Sequence, residues 1–240
     1  MNDCVLIEQQ GNVWTFTLNR PDKRNALNPV TVEALISGVE QAHRSKADLL
    51  VFRGEGKSFC AGFDFSDFDD VSEGELLWRF VRIEQLLQLI HGSPALTMAL
   101  AQGKNFGAGV DLLASCKHRV GSADATFRMP GLKFGLVLGT RRLGALVGQE
   151  IARQIQQVAA TVTAERATEI GLLSQVAEQQ HWHDLVARQL ACAVSLSSEA
   201  RADLYDVLGY ASYEQDMARL VQSVVRPGLK DRIAAYRAAG

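Results

Sequence analysis

Residues Gln102–Cys116 read QGKNFGAGVDLLASC, where the apolar run Ala95–Ala101 gives way to an apolar helical segment that starts with Gly-Ala-Gly. Glycines at such a start let the backbone turn tightly and let another group approach the main chain. The first turn of a helix carries unpaired N–H groups and the positive end of the dipole. It therefore receives a phosphate, a carboxylate or a developing oxyanion. Asp111 follows Ala108 at i+3 and shares its helix face. A donor amide with a carboxylate nearby is the pairing that proton transfer beside a carbonyl requires. Taken alone, the pattern has a second reading. Gly107 and Gly109 can be packing glycines, and Asp111 can be an acid that stabilises the helix end by a few tenths to about 1 kcal/mol.

The flanking sequence alternates strand and helix. Val5–Ile7 and Val13–Leu18 are β-type runs around a Gln-Gln-Gly-Asn hairpin signal. Asn28 is placed to cap a helix with Pro29 at its first position, running to Arg44 with Val32, Leu35, Ile36, Val39 and Ala42 as its apolar stripe. Leu49–Phe52 and Ala95–Ala101 suit buried parallel strands. A second amphipathic helix is expected over Glu75–Ile90, and the acidic segment Phe65–Glu75 before it is expected to be exposed and mobile. Arg119–Val120, Thr126–Met129 and Leu173–Val176 read as short strands, and Thr163 as a helix cap. From His181 onward the chain reads as helices, broken near Ser195–Ser198, Gly209 and Pro227-Gly228. The expected class is α/β with a helical C-terminal appendage.

The 240 residues, 47% of them hydrophobic, suffice for one large core with a small appendage, and a net charge of −2 gives no reason to expect nucleic acid as a partner. The four cysteines, Cys4, Cys60, Cys116 and Cys192, lie far apart and show no zinc spacing. They read as free thiols in a reducing compartment, so a cytoplasmic location is expected. The start MNDCVLIEQQ lacks the pattern of a signal peptide, and no apolar run approaches the ~20 residues of a membrane span. No membrane partner, metal or cofactor is expected.

Four stretches, in order, resemble the crotonase (enoyl-CoA hydratase/isomerase) superfamily: NRPDKRNALN, GEGKSFCAGFDF, QGKNFGAGVDLLASC and TAERATEIGLLSQV; the tail PGLKDRIAAYR is similar to the family's last helix. The resemblance implies a spiral core of ββα turns over residues 1–194, with a helical C-terminal oligomerisation region over 195–240. It further implies assembly as a homotrimer or homohexamer, and acyl-CoA thioesters as substrates. By motif position, the amides of Phe63 and Ala108 would hold the thioester oxygen and stabilise an enolate, with Asp111 as the acid/base. The same resemblance sets the substrate against Arg24, Ala26, Lys57, Ala61, Asp64, Phe65, Gly107 and Gly131. Arg24 and Lys57 would favour the CoA phosphates by charge, although either reads equally well as a solvated surface group. Cys60 reads as a packing residue rather than a nucleophile.

The chain also departs from the family. Hydratases of this superfamily use two carboxylates, and Gly131 stands where the second would be. GVDL is similar to the dienoyl-CoA isomerases, whereas the glycine at 131 is similar to the naphthoate synthases. The following GLVLGTRRL is shorter than the usual loop and lacks an acid that some isomerases draw from it. Water addition needs one group for the water and another for the α-carbon, so the sequence points to a double-bond isomerase rather than a fast hydratase. Other enolate chemistry (decarboxylation, thioester hydrolysis or C–C cleavage) and a non-catalytic acyl-CoA-binding paralogue remain alternatives. Arg128, Lys133, Arg141 and Arg142 read as surface or inter-subunit charges, with one of them holding a substrate carboxylate as the other option. His91 reads as a cation closing a helix. Arg232, Tyr236 and Arg237 read as helix-surface residues or as neighbours of another subunit's site.

Overall fold

The protein is described here by a computed structural model covering residues 3–209 and 212–239. Met1, Asn2, Tyr210, Ala211 and Gly240, which the sequence assigns to the leading and C-terminal segments, lie outside those residues. Strands β1 (Val5–Gln10) and β2 (Val13–Leu18) form an antiparallel hairpin. Helix α1 (Pro29–Arg44), β3 (Leu49–Gly54), α2 (Glu73–His91) and β4 (Leu96–Ala101) follow. Next come β5 (Lys104–Phe106), α3 (Ala108–Ala114), β6 (His118–Gly121), β7 (Thr126–Arg128), α4 (Thr140–Val147) and α5 (Gln149–Val158). The chain finishes with β8 (Thr161–Thr163), α6 (Ala164–Glu169), β9 (Gln175–Val176), α7 (Trp182–Ala193), α8 (Ser198–Leu208), α9 (Tyr213–Val224) and α10 (Leu229–Ala238).

Six strands form one sheet in the order β1-β2-β3-β4-β6-β9, parallel beyond the first pair, and β5-β7-β8 form a second. β4-β5-α3 and β6-β7-α4 each place one strand in either sheet before the helix, which is the rise of a ββα spiral. Side chains alternate along β3. Leu50 and Phe52 join α1 and α2 on one face, while Leu49 and Val51 pack with Trp182 and Leu185 of α7 on the other. Both faces are covered, so β3 and β4 read as near-continuous apolar runs instead of an alternation. Helix α1 starts where the sequence predicts: the Asn28 side chain accepts from the Thr31 N–H, and the predicted stripe is buried.

Three expectations are corrected. The segment Phe65–Glu75 is tied to the core rather than loose: Phe68 is buried, Arg79 pairs with both carboxylate oxygens of Asp67, and Lys230 Nζ donates to the Asp69 and Val71 carbonyls. Composition exposed the acids but not their distant cations. The strand read over Leu173–Val176 shrinks to Gln175–Val176, because Leu173 N–H donates back to Ala167 O and belongs to the exit of α6. His91 is not a helix-end cation. Burial, with Arg142 and Lys117 nearby, pushes its imidazole down to about 4. Helix α9 covers this end of α2, with Tyr213 Oη 3.0 Å from His91 Nδ1. Helix α10 lies over the turn Gly131–Phe134, with Leu229 and Ile233 buried and the Tyr236 ring 5.3 Å from that of Phe134.

Candidate active site

The loop after β3 and the start of α3 meet. Gly62 sits at φ +86°, and a Cβ there would fall 2.3 Å from Phe106 O and 3.3 Å from Ala108 N, so only glycine admits this approach. Leu27 N–H donates to Gly62 O at 2.7 Å and Asp64 N–H donates to Leu27 O at 3.1 Å. This bridge uses the groups on either side of Phe63 and leaves the Phe63 amide outside the pair. Ala108 is the first residue of α3, so its N–H has no carbonyl one turn back within the helix. It is not among the positive-φ residues, so the Cβ is accommodated without strain. Gly109 is a packing glycine, since a Cβ there would fall 2.2 Å from Cys60 O. Cys60 is buried and its thiol is pushed up to about 12 by that burial, in keeping with a packing role.

Asp111 is 3% exposed, and its Oδ1 has no hydrogen-bond partner among the described residues. Burial pushes its carboxyl well above the usual range; Arg142 pulls it back and Glu84 pushes it further. Gly139, at φ +62°, lies directly on the carboxyl group, and a Cβ there would fall 1.8 Å from Oδ1. Arg142 corrects its sequence reading as a surface charge. It is 2% exposed and makes a two-pronged ion pair with Glu84 of α2, one prong at 2.9 Å. Asp216 of α9 lies 4.0 Å from Arg142 Nη1. Helices α2, α4 and α9 thus bring together the buried Glu84 and Arg142 and the half-buried Asp216.

A cavity of about 570 Å³ opens in front of it, within the range of small-molecule sites. Of the residues singled out in sequence, Arg24, Ala26, Ala61, Phe63, Asp64, Phe65, Gly107, Ala108, Asp111 and Gly131 line it together. Lys57 does not; it is exposed outside the lining. The apolar wall comprises Phe80, Phe106, Met129, Phe134, Leu136 and Leu138. Asp64 is held by Arg20 at 2.7 Å and by Ser66; burial pushes its carboxyl up, but these hydrogen bonds outweigh it and keep it below the usual range. Lys23 and Arg24 line the same cavity as Tyr236 and Arg237 of α10. Sequence reading missed Lys23 and Gln156, and it placed Tyr236 and Arg237 on the surface or near another subunit. Their contribution to this chain's own cavity depends on how α10 folds back, which carries no local signal. Among the described residues no cluster of three or more His, Cys, Asp or Glu is placed to hold a metal ion, and no helix is long and apolar enough to cross a membrane.

The family model described as enoyl-CoA hydratase/isomerase matches residues 8–219. The chain belongs to the enoyl-CoA hydratase/isomerase family. It is 34% identical over 200 residues to the probable enoyl-CoA hydratase echA6 of Mycobacterium bovis, covering 78% of each chain. It is 31% identical over 180 residues to the short-chain-enoyl-CoA hydratase of Clostridium acetobutylicum, covering 72% of this chain and 69% of that one. Among solved structures, a Bordetella parapertussis protein proposed to be an enoyl-CoA hydratase/isomerase is 51% identical, with a TM-score of 0.97 over 98% of both chains. The enoyl-CoA hydratase of Bacillus halodurans, at 21% identity, shares the fold with a TM-score of 0.85 over 97% of this chain and 99% of that one. The crotonase spiral expected from the motifs is therefore the fold of this chain.

Proposed function

We propose that this crotonase acts on acyl-CoA thioesters as a double-bond isomerase, with Asp111 as its single acid/base. The observation that carries this reading is the state of the acids lining the cavity. Asp64 is committed to Arg20 and Ser66, Asp22 sits beside Lys23 and Arg24 on the lining, and Asp111 alone of the three has a buried, unpartnered oxygen. In this reaction the Asp111 carboxylate takes the proton from the α-carbon of a 3-enoyl thioester. The C–H pair becomes a dienolate whose oxygen accepts from the Phe63 and Ala108 N–H groups, and Asp111 returns the same proton at the γ-carbon. One such amide donor is typically worth about 2.7–4 kcal/mol in the barrier. The raised carboxyl suits the cycle, because a stronger base removes a carbon-bound proton more readily.

Gly131 supplies no second carboxylate, which argues against fast hydration. The decarboxylase and lyase alternatives ask for a cation facing the acyl group. Arg128 Nε is spent on Ala159 O, Arg142 on Glu84, and Lys133 lies outside the lining. Lys23, Arg24 and Arg237 suit the CoA phosphates instead. A homotrimer or homohexamer is proposed from the family resemblance; the exposed Val207 and Leu208 at the end of α8 offer apolar surface for such an assembly.

The test is incubation with 3-enoyl-CoA, crotonyl-CoA and malonyl-type esters, with products read by mass spectrometry beside Asp111→Asn. The expected result is migration of the double bond, lowered about 10²- to 10⁴-fold in the variant. Comparable turnover in the variant overturns the reading. Free CoA or carbon dioxide moves it to hydrolysis or decarboxylation, and saturable binding without product moves it to a non-catalytic acyl-CoA-binding protein.

A further inference from the structure

Arg20 lies just beyond β2 and is half-buried. Its Nη1 donates to Ala26 O at 2.6 Å and to the Asp64 carboxylate at 2.7 Å. The peptide group that offers Ala26 O also carries the Leu27 N–H, which donates to Gly62 O at 2.7 Å. The peptide group that offers Gly62 O carries in turn the Phe63 N–H, and this one finds no acceptor among the described residues. No peptide bond among the described residues is cis. In a trans peptide the C=O and the N–H lie in one plane and point in opposite directions. Each hydrogen bond in the row therefore fixes the direction of the next N–H. The row starts at a guanidinium and ends at an amide on the cavity wall. Asp64 N–H donates back to Leu27 O at 3.1 Å and pins the two loops at a second point.

The row carries charge as well as direction. A hydrogen bond from a cation is stronger than one between neutral groups, and hydrogen bonds in a chain polarise one another away from bulk water. The two amides proposed to hold the thioester oxygen differ in what stands behind them. Ala108 opens α3, so the peptide dipoles of that helix align behind its N–H. Phe63 lies in a loop, attached to Leu27 by an isolated bridge. We infer that Arg20 is a positioning residue for the reaction: through two peptide groups it aims the Phe63 N–H at the thioester oxygen and strengthens it as a donor. The inference rests on the acyl-CoA reading above. It also gives Asp64 a task. That carboxylate shares Nη1 with Ala26 O and holds the guanidinium in place, so an acid on the cavity lining is spent on the protein. An ion pair serving stability alone would need Arg20 only beside Asp64, whereas the bond to Ala26 O is what joins it to the row.

The experiment is isotope-edited infrared spectroscopy of hexanoyl-CoA, labelled with heavy carbon at the thioester carbonyl and bound to the full chain. Hydrogen bonds to the carbonyl oxygen lower its stretching frequency, so the natural chain is expected to lower it relative to the free ester. Arg20→Met is expected to lose roughly half of that lowering, since the Ala108 amide remains. Its kcat on 3-enoyl-CoA is expected to fall about tenfold, less than the roughly 10²- to 10³-fold that loss of a whole donor costs, with KM changed less than about threefold. Arg20→Lys keeps a cation beside Asp64 without the planar fork. It is expected to restore part of the lowering, and it carries the comparison should the methionine variant lose its cooperative melting transition. The full natural lowering in Arg20→Met, or in Arg20→Lys where the methionine variant does not fold, overturns the inference and leaves the acyl-CoA reading standing. Saturable binding without any lowering in the natural chain overturns the oxyanion role of Phe63 and this inference with it. No saturable binding overturns the acyl-CoA reading as well.

Discussion

Asp111 combines two opposing demands. Its carboxyl is buried under Gly139, which makes it a stronger base and also makes its charge costly to the fold. Its pKa lies above the ordinary value of 3.8 in the folded chain, so the folded state holds the proton more tightly than the unfolded one. The charge therefore destabilises the fold progressively as pH rises above that ordinary value, and not below it. Asp111→Asn is expected to melt at a higher temperature than the natural chain at neutral pH, with the gap closing as pH falls toward the ordinary carboxylate range; melting curves across pH check this. Under the proposed role of Asp111 as the base, the same shift is expected to make kcat/KM rise with pH along a limb displaced upward from that range. Gly139→Ala is expected to destabilise by at least about 1–2 kcal/mol from the left-handed backbone alone. It is also expected to abolish turnover by driving the carboxyl out of place, measured by denaturant unfolding and by the enoyl-CoA assay.

At the scale of elements, α2, α4 and α9 are joined behind the site by Glu84, Arg142 and Asp216, and the charges of Arg142 and Glu84 act on Asp111 of α3. Arg142 and Glu84 are buried in one ion pair, so removing one partner strands the other in the core. Glu84→Gln is expected to cost about 3–5 kcal/mol. It also leaves Arg142 free to act on Asp111, so the acidic limb of the rate profile is expected to shift downward; the combination of unfolding data and a pH profile separates this from simple loss of packing. Sequence reading placed Arg142 outside because four cations in a short stretch look like surface. The glutamate that draws one of them inward stands 58 residues earlier, and no local pattern links them.

Across the whole molecule, burial of imidazoles contributes to the acid side of stability beside the paired carboxylates Asp64 and Asp67. His91 titrates at about 4 in the folded chain against an ordinary value of 6.5. The unfolded chain therefore binds the proton first, and stability falls as pH drops from the ordinary value toward the lowered one. His91→Gln is expected to flatten that part of the melting-temperature profile. The chain's far end matters to the site as well. Helix α10 brings Tyr236 and Arg237 onto the cavity, with the Arg237 guanidinium 5.8 Å from the Phe65 ring and 5.2 Å from that of Phe68. Arg237→Ala is expected to weaken CoA-ester binding several-fold with little change in kcat, as read from KM and kcat separately.

Local chemistry accounts for the elements whose cause lies among neighbouring residues: the Asn28 cap and apolar stripe of α1, the buried parallel strands, and the glycine turns at Gly62 and Gly107. In their order, those turns also carried the family and the Phe63–Ala108–Asp111 grouping. The local elements follow from periodicity, backbone freedom and capping, which neighbouring residues decide, whereas the Phe63–Ala108–Asp111 grouping is what the family resemblance implies. Packing in space explains that Gly139 rests on the Asp111 carboxyl, that Arg142 is buried with Glu84, and that Lys57 stands outside the cavity while Arg237 lines it. Each depends on a partner distant in sequence, and burial and charge act through distance in space rather than along the chain.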